Sequence, residues 1–164
     1  MIKIIVAGAA GRMGKLLVKN ILAADDMSLV GATEHLKSSF LGKDAGITAG
    51  IAEANVDITS ELPPLLSGTD VLIDFSTGNV VENAKLAINS DLGVVIGTTA
   101  LSHGHKLKLK ELGESGGKIV FAPNMSIGVN LLFSLVEKVA KTLNENYEIE
   151  IVEMHHNQKK DAPS

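Results

Sequence analysis

The chain has 164 residues, 45% of them hydrophobic and 21% charged, which is enough for one packed domain with a few tens of residues to spare and leaves no case for disorder. A net charge of -4 and an aromatic content of 3% exclude the basic, stacking-rich surface that nucleic-acid partners need. The absence of cysteine rules out disulfides, thiolate metal sites and a Cys nucleophile, and no apolar run approaches the ~18 residues of a membrane span, so a cytoplasmic location is expected.

In chain order, short β-branched runs alternate with longer segments of helical period. The first strand is predicted over residues 2–7 and runs into Gly8-Ala9-Ala10-Gly11-Arg12-Met13-Gly14, which opens a helix over 12–24. A second strand over 28–33 ends at Glu34. Residues 37–59 lack a strong period and read as a surface excursion rich in Gly, Ala and polar residues. Then follow a strand over 71–75, a helix over 80–90, a strand over 94–97, a helix over 105–114 and a strand over 119–122. A helix over 128–143 and a last strand over 147–154 complete the chain, and Ser102 and Ser126 are placed to cap the helices after them.

This alternation is the pattern of a parallel sheet covered by crossover helices, and the nearly continuous Val, Ile and Leu of the early strands suits burial on both faces. Glu148, Ile149, Glu150 and Ile151 alternate polar with apolar instead, as in a sheet with one wetted face. Two domains are therefore expected, a nucleotide-binding one over 1–125 and the start of a second over 126–164.

The glycines form a G-x-x-G-x-x-G variant of the dinucleotide fingerprint. A diphosphate must sit against main-chain amides at a helix N-terminus, and a misplaced Cβ would hold it off. Gly8 would permit the tight turn, Gly11 the approach, and Gly14 close helix-to-strand packing. Three glycines can equally be plain turn residues. Their setting favours the functional reading, because the loop follows a strand, opens a helix and precedes by about 20 residues an acid, Glu34, that can take the adenine ribose hydroxyls. The expected fold is α/β, a Rossmann-type doubly wound parallel sheet holding NADH and/or NADPH. Glu34 favours NADH, since a carboxylate repels a ribose phosphate, while His35 and Arg12 can offset it and allow dual use.

In such sheets ligands lie at the carboxyl ends of the strands. Those ends read Asp74-Phe75-Ser76-Thr77, Gly97-Thr98-Thr99-Ala100 and Ala122-Pro123-Asn124-Met125-Ser126, small or polar residues able to border ribose and nicotinamide or to serve as turns and caps. Toward the C-terminus, His155 and His156 are neighbours on an expected strand and point to opposite faces, so no metal site is expected there. His103 and His105, next to Lys106, Lys108 and Lys110, read as a solvated helix start.

Several of these segments together resemble the N-terminal part of the dihydrodipicolinate (4-hydroxy-tetrahydrodipicolinate) reductases of lysine and diaminopimelate biosynthesis. The resemblance rests on Gly8 to Gly14 with Arg12-Met13, on Asp74-Phe75-Ser76, Gly97-Thr98-Thr99 and Asn124-Met125-Ser126-Ile127-Gly128-Val129-Asn130. Above all it rests on Glu153-x-His155-His156-x-x-Lys159-x-Asp161-Ala162-Pro163-Ser164. It implies an NAD(P)H-dependent oxidoreductase whose substrate is a small cyclic dicarboxylate. By the resemblance, His155 is the general acid, Lys159 binds and neutralises the substrate, and His156 and Ser164 help form its pocket. The implied cofactor contacts are Gly8, Gly11, Arg12, Met13, Gly14, Glu34, His35, Phe75, Ser76, Gly97, Thr98, Thr99, Ala122, Pro123, Asn124 and Met125. Ala100 departs from the family's Gly-Thr-Thr-Gly.

The family continues past the position of Ser164 with Gly-Thr, a helix and the rest of an α+β sheet domain through which it forms a homotetramer. The expectation is a fragment, its second domain truncated, that binds cofactor and turns over poorly. Two other readings stand beside it: another Rossmann reductase of imines or carbonyls, against which the motif at Glu153 speaks, and a dinucleotide-sensing module, which needs neither His155 nor Lys159.

Overall fold

The computed structural model describes residues 1–99, 101–152 and 154. Strands β1 (Ile2–Ala7), β2 (Met27–Thr33), β3 (Ile58–Thr59), β4 (Val71–Asp74), β5 (Gly93–Ile96) and β6 (Ile119–Phe121) form one sheet in the order β3-β2-β1-β4-β5-β6. Every pairing is parallel, so each strand reaches the next through a crossover, and the order reverses direction between β1 and β4.

The crossovers carry α1 (Arg12–Ala23), α2 (Ala45–Ala49), α3 (Val80–Asn89) and α4 (His103–Glu114). Alternation along β1 separates two cores: Ile4 and Val6 join Val18 and Ile21 of α1 and Ala45 and Ala49 of α2, whereas Ile5 and Ala7 join Val80, Ala84 and Ala87 of α3 and Leu109 of α4. With both sheet faces covered, the interior strands are mostly apolar, and the exceptions stand near their ends: Lys3 and Ser28 near the starts of β1 and β2, Thr33 and Asp74 at the ends of β2 and β4. β1 and β2 slip register between Ile4 and Ile5, where Gly31 comes opposite Ile5. A Cβ on Gly31 would lie 2.9 Å from Leu65 Cδ1 and 3.1 Å from Ile5 Cγ1, so the strand is pinched at a residue without a side chain.

Two expectations need correction. Residues 37–59 are not a surface excursion, because they carry α2 and β3 and bury Ala45, Ala49 and Ile58 in the core. Their organiser is Asp44, whose carboxylate accepts the amides of Ile47 at 2.9 Å, Ala54 at 3.0 Å and Val56 at 3.1 Å. One polar side chain thus does the ordering that periodicity reports elsewhere. The strand expected over 147–154 is not found either: among the described residues of that stretch none is in a strand, and Ile149, Ile151, Val152 and Met154 are exposed. Alternation marks a chain able to join a sheet, but a strand exists only with a hydrogen-bonded partner.

The chain divides into two compact units, Met1–Phe121 and Ala122–Ser164. The second carries α5 (Ile127–Leu143), started by Ser126, whose hydroxyl accepts the Val129 amide at 3.4 Å, and none of the helix's residues is buried. Among the described residues no helix is long and apolar enough to cross a membrane.

Candidate functional site

A cleft of about 500 Å³ opens at the carboxyl ends of β1, β2 and β4, where the strand order reverses, and its wall includes Gly8, Gly11, Glu34, His35, Phe75 and Ser76. Gly8 has φ +77°, a conformation that L side chains rarely adopt, and a Cβ there would press on the Phe75 carbonyl carbon at 3.1 Å and the Ser76 nitrogen at 3.0 Å. A Cβ on Gly14 would lie 2.0 Å from Gly8 O, so its bareness seats α1 on the turn itself rather than on the strand.

The turn's amides are largely consumed inside the protein. Gly8 and Ala9 both donate to the Thr33 carbonyl, at 2.9 and 3.1 Å, and Gly11 donates to Gly8 O at 3.0 Å. Ala10 donates to Oε1 of Glu34 at 3.0 Å, while Oε2 accepts from the His35 amide at 3.2 Å. Arg12, Met13 and Gly14 follow at the start of α1, and their amides have no acceptor among the described residues. Gly11 caps the helix without a side chain and no acid stands in its first turn, so these amides and the positive helix end are left for an anion.

The opposite wall is held from β4 and β5. Asp74, fully buried at 0% exposure, accepts the Ser76 amide at 2.8 Å and the Asn83 side-chain amide at 2.9 Å, tying the loop after β4 to the first turn of α3. Thr98 donates its hydroxyl to the Ser76 carbonyl at 2.6 Å. Ser76 is thereby fixed at both backbone groups, while its own hydroxyl is buried with no partner among the described residues. Gly97 lies beneath the Phe75 ring, with Phe75 Cζ 2.0 Å from where a Cβ would stand.

The structure therefore gathers Gly8, Gly11, Glu34, His35, Phe75 and Ser76 around the cleft, with Gly97 and Thr98 behind them as supports. The side chains of Arg12 and Met13 are exposed, as are Thr99 and His35, and His35 Nδ1 accepts the Lys37 amide at 3.1 Å. Ala122, Pro123, Asn124 and Met125 fall in the second unit, where Asn124 Oδ1 accepts the Ser126 amide at 2.8 Å and Asn130 donates to the Asn124 carbonyl at 2.9 Å. Ala100, His155, His156, Lys159 and Ser164 lie outside the described residues. Among those described, no group of three or more His, Cys, Asp or Glu is placed to hold a metal ion.

Sequence reasoning missed Ser60, Glu61 and Leu62, which line the cleft directly after β3, and Asn79 and Asn83 at the start of α3. The first three went unseen because β3 has only two residues, too short for any period. Asn83 had a signal, a polar side chain in the first turn of a helix that follows a buried acid.

A doubly wound parallel sheet of this order, with a cleft at its switch point lined by a glycine turn and a strand-end carboxylate, is a Rossmann dinucleotide-binding domain. Residues 2–125 match the family described as dihydrodipicolinate reductase, N-terminus, and residues 128–164 its C-terminus counterpart, so the chain belongs to the dihydrodipicolinate reductase family. It is 44% identical over its whole length to 4-hydroxy-tetrahydrodipicolinate reductase of Syntrophotalea carbinolica, covering 61% of that protein. Over 98% of its length it is 48% identical to the enzyme of the same name from Cupriavidus pinatubonensis, covering 60% of it. Among solved structures it resembles dipicolinate-bound dihydrodipicolinate reductase from Paenisporosarcina sp. TG-14, with a TM-score of 0.73, 28% identity and coverage of 100% of this chain and 62% of that one. The chain thus spans about 61% of the length of the curated relatives it matches.

Proposed function

We propose that this chain binds NADH or NADPH in the cleft between β1, β2 and β4, and that in its full-length form it reduces 4-hydroxy-tetrahydrodipicolinate to tetrahydrodipicolinate. The observation that carries the reading is the set of amides at Arg12, Met13 and Gly14 without an acceptor among the described residues, following a turn that leaves no room for a Cβ at Gly8 or Gly14 and that Glu34 holds through the Ala10 amide. The residues present fit a dinucleotide: the amides suit its diphosphate, Glu34 the adenosine ribose, and Phe75, Ser76 and the loop after β5 the nicotinamide half. A reduced nicotinamide held there supplies hydride.

The chain's own residues do the rest. Phe75, propped by Gly97, keeps water from one side of the cleft, and Ser76 offers its unpaired hydroxyl. His155 donates the proton that completes reduction, a task suited to an imidazole because its ordinary pKa lies near neutrality. Lys159 neutralises the dicarboxylate, and His156 and Ser164 complete its pocket. Support for these last roles is the motif from Glu153 to Ser164 and the family to which the chain belongs. Ala122, Pro123, Asn124 and Met125 are proposed to border the nicotinamide, with the domains meeting near 125 and 126.

NADH is the preferred coenzyme, because the Glu34 carboxylate repels a 2′-phosphate, and the cytoplasm is the proposed place of work. The full-length form is proposed to be the family's homotetramer. The 164-residue chain alone is expected to bind dinucleotide with little turnover. Fluorescence titration at moderate salt tests the coenzyme assignment, and NADPH binding more than about tenfold tighter than NADH, ~1.4 kcal/mol, overturns it. For the acid, H155Q in a chain of the relatives' length should lose rate while keeping cofactor affinity, and equal activity removes His155 from that role.

A further inference from the structure

The internal bonds of the glycine turn are unequal in kind. Gly8, Ala9 and Gly11 donate to main-chain carbonyls, acceptors that any sequence provides. Ala10 alone among them donates to a side chain, Oε1 of Glu34, 24 residues further along the chain. Glu34 is held in turn, its Oε2 by the His35 amide at 3.2 Å and its own amide by the Thr59 carbonyl at 2.9 Å. The carboxylate is therefore set by β2 and β3 and reaches across to fix the turn between β1 and α1.

Resting on the dinucleotide reading above, we propose that Glu34 is a positioning residue for the phosphate-binding turn, a latch acting through the Ala10 amide in addition to any contact with the ribose. The turn sits immediately before the free amides of Arg12, Met13 and Gly14, and α1 is seated on it through bare glycine. Rotation of the Ala9–Ala10 peptide away from Glu34 would alter the exit angle of the chain at Gly11 and spread those amides. The latch serves both coenzymes alike, since each carries the same diphosphate. Removing Glu34 consequently lowers repulsion of a 2′-phosphate and loosens the turn at once, two opposed effects on NADPH, whereas NADH loses both the ribose contact and the firm turn.

A chemical cycle separates the two roles. NADH and its analogue lacking both hydroxyls of the adenosine ribose are titrated against wild type, E34A and E34Q, with amide exchange at Ala10 followed in the free proteins. A carboxylate that worked only through the ribose would leave analogue affinity unchanged or, with a negative charge gone, improved. The latch predicts that E34A weakens the analogue about fivefold, the worth of one hydrogen bond of ~1 kcal/mol. E34Q, which keeps an oxygen for Ala10, restores most of it, and Ala10 exchange accelerates in E34A but not at Val6. Unchanged or tighter analogue binding by E34A overturns the latch while leaving the dinucleotide site standing. If E34A does not fold, E34D carries the same test, its side chain being one methylene too short for the span. Failure of wild type to bind either ligand overturns the dinucleotide reading itself, and Ala10 exchange in the free proteins then judges the latch alone.

Discussion

Replacing Gly14 with alanine puts a methyl group 2.0 Å from Gly8 O, 2.7 Å from Ala9 Cα and 2.8 Å from the Ala9 carbonyl carbon. Ordinary contacts between such atoms lie near 3.5 Å, so something has to give by more than about 1 Å. The turn resists, because Gly8 is in a left-handed conformation and Gly8 and Ala9 share the Thr33 carbonyl. The alternative is that α1 lifts, carrying Val18 and Ile21, both buried, off the sheet. Overpacking of this kind costs roughly 3 kcal/mol, against which alanine's better helix propensity returns about 1. The net loss of about 2 kcal/mol corresponds to a fall of ~8 °C in Tm for a unit of this size. The same lift moves the amides of Arg12, Met13 and Gly14, so NADH affinity should fall by about tenfold or more. Gly113 in α4 is the internal control: nothing lies within 4 Å of its Cβ position, and G113A should be neutral or stabilising by up to about 0.5 kcal/mol. Circular dichroism melts and NADH fluorescence titrations of both variants decide the matter. If G14A melts as wild type does and binds NADH equally well, the close seating of α1 on the turn is not what Gly14 provides.

Three further outcomes follow from other parts of the cleft and its support. D74N places an amide donor against either the Ser76 amide or the Asn83 side chain and should cost about 2 kcal/mol, whereas the swap D74N/N83D restores a donor-acceptor pair and recovers part of it, as urea denaturation would report. Asp44 is pushed upward by its surroundings but held below its ordinary value of 3.8 by the amides of Ala54, Ile47 and Val56, so its contribution is present above that pH and lost as pH falls through the folded value. D44N should therefore be destabilised by about 2 kcal/mol at pH 7, with the gap to wild type narrowing in melts below about pH 4. Arg12 makes no ion pair among the described residues, so R12A should leave NADH affinity within about threefold, yet weaken NADPH more, by a margin that shrinks as salt rises; equal losses for both coenzymes would contradict the proposed use of its charge.

The strands β1, β2, β4, β5 and β6 could be read to within a residue at most ends, because burial on both sheet faces favours a nearly continuous apolar run. The starts of α1 and α3 fall where expected without a serine cap, whereas α5 begins one residue and α4 two residues earlier than the apolar period suggests, since Ser126 accepts the Val129 amide and Ser102 the His105 amide. β3 and α2 were hidden since their order comes from Asp44, a side chain acting on amides up to 12 residues away, which no window of local periodicity can register. The strand expected over 147–154 failed for the converse reason: the local pattern is present, but partners are a property of the rest of the sheet. In the site, Gly8 and Glu34 were legible as cleft residues because the glycine fingerprint places a tight turn after β1 and an acid about 20 residues on at the end of β2, and both do line the cleft. The roles of Thr98 and Asp74 were not, as both act on the main chain of Ser76 across the cleft wall.

That contrast bears on how such a site tolerates change. In the proposed site a ligand gripped by main-chain amides depends on where the backbone lies, and the backbone lies where groups outside that grip put it: the Thr33 carbonyl, the Glu34 oxygen that takes the Ala10 amide, the missing Cβ of Gly14. The exposed side chain of Met13 can vary at small cost, because what that residue offers is an amide that every residue except proline possesses, whereas at Arg12 the proposed contribution includes the side-chain charge toward NADPH. Proline at residue 13 would remove one of the free donors while suiting the first turn of a helix, where its missing N–H breaks no helical bond. Stability and binding should part company there, as they cannot at Gly14, where the same contact sets both.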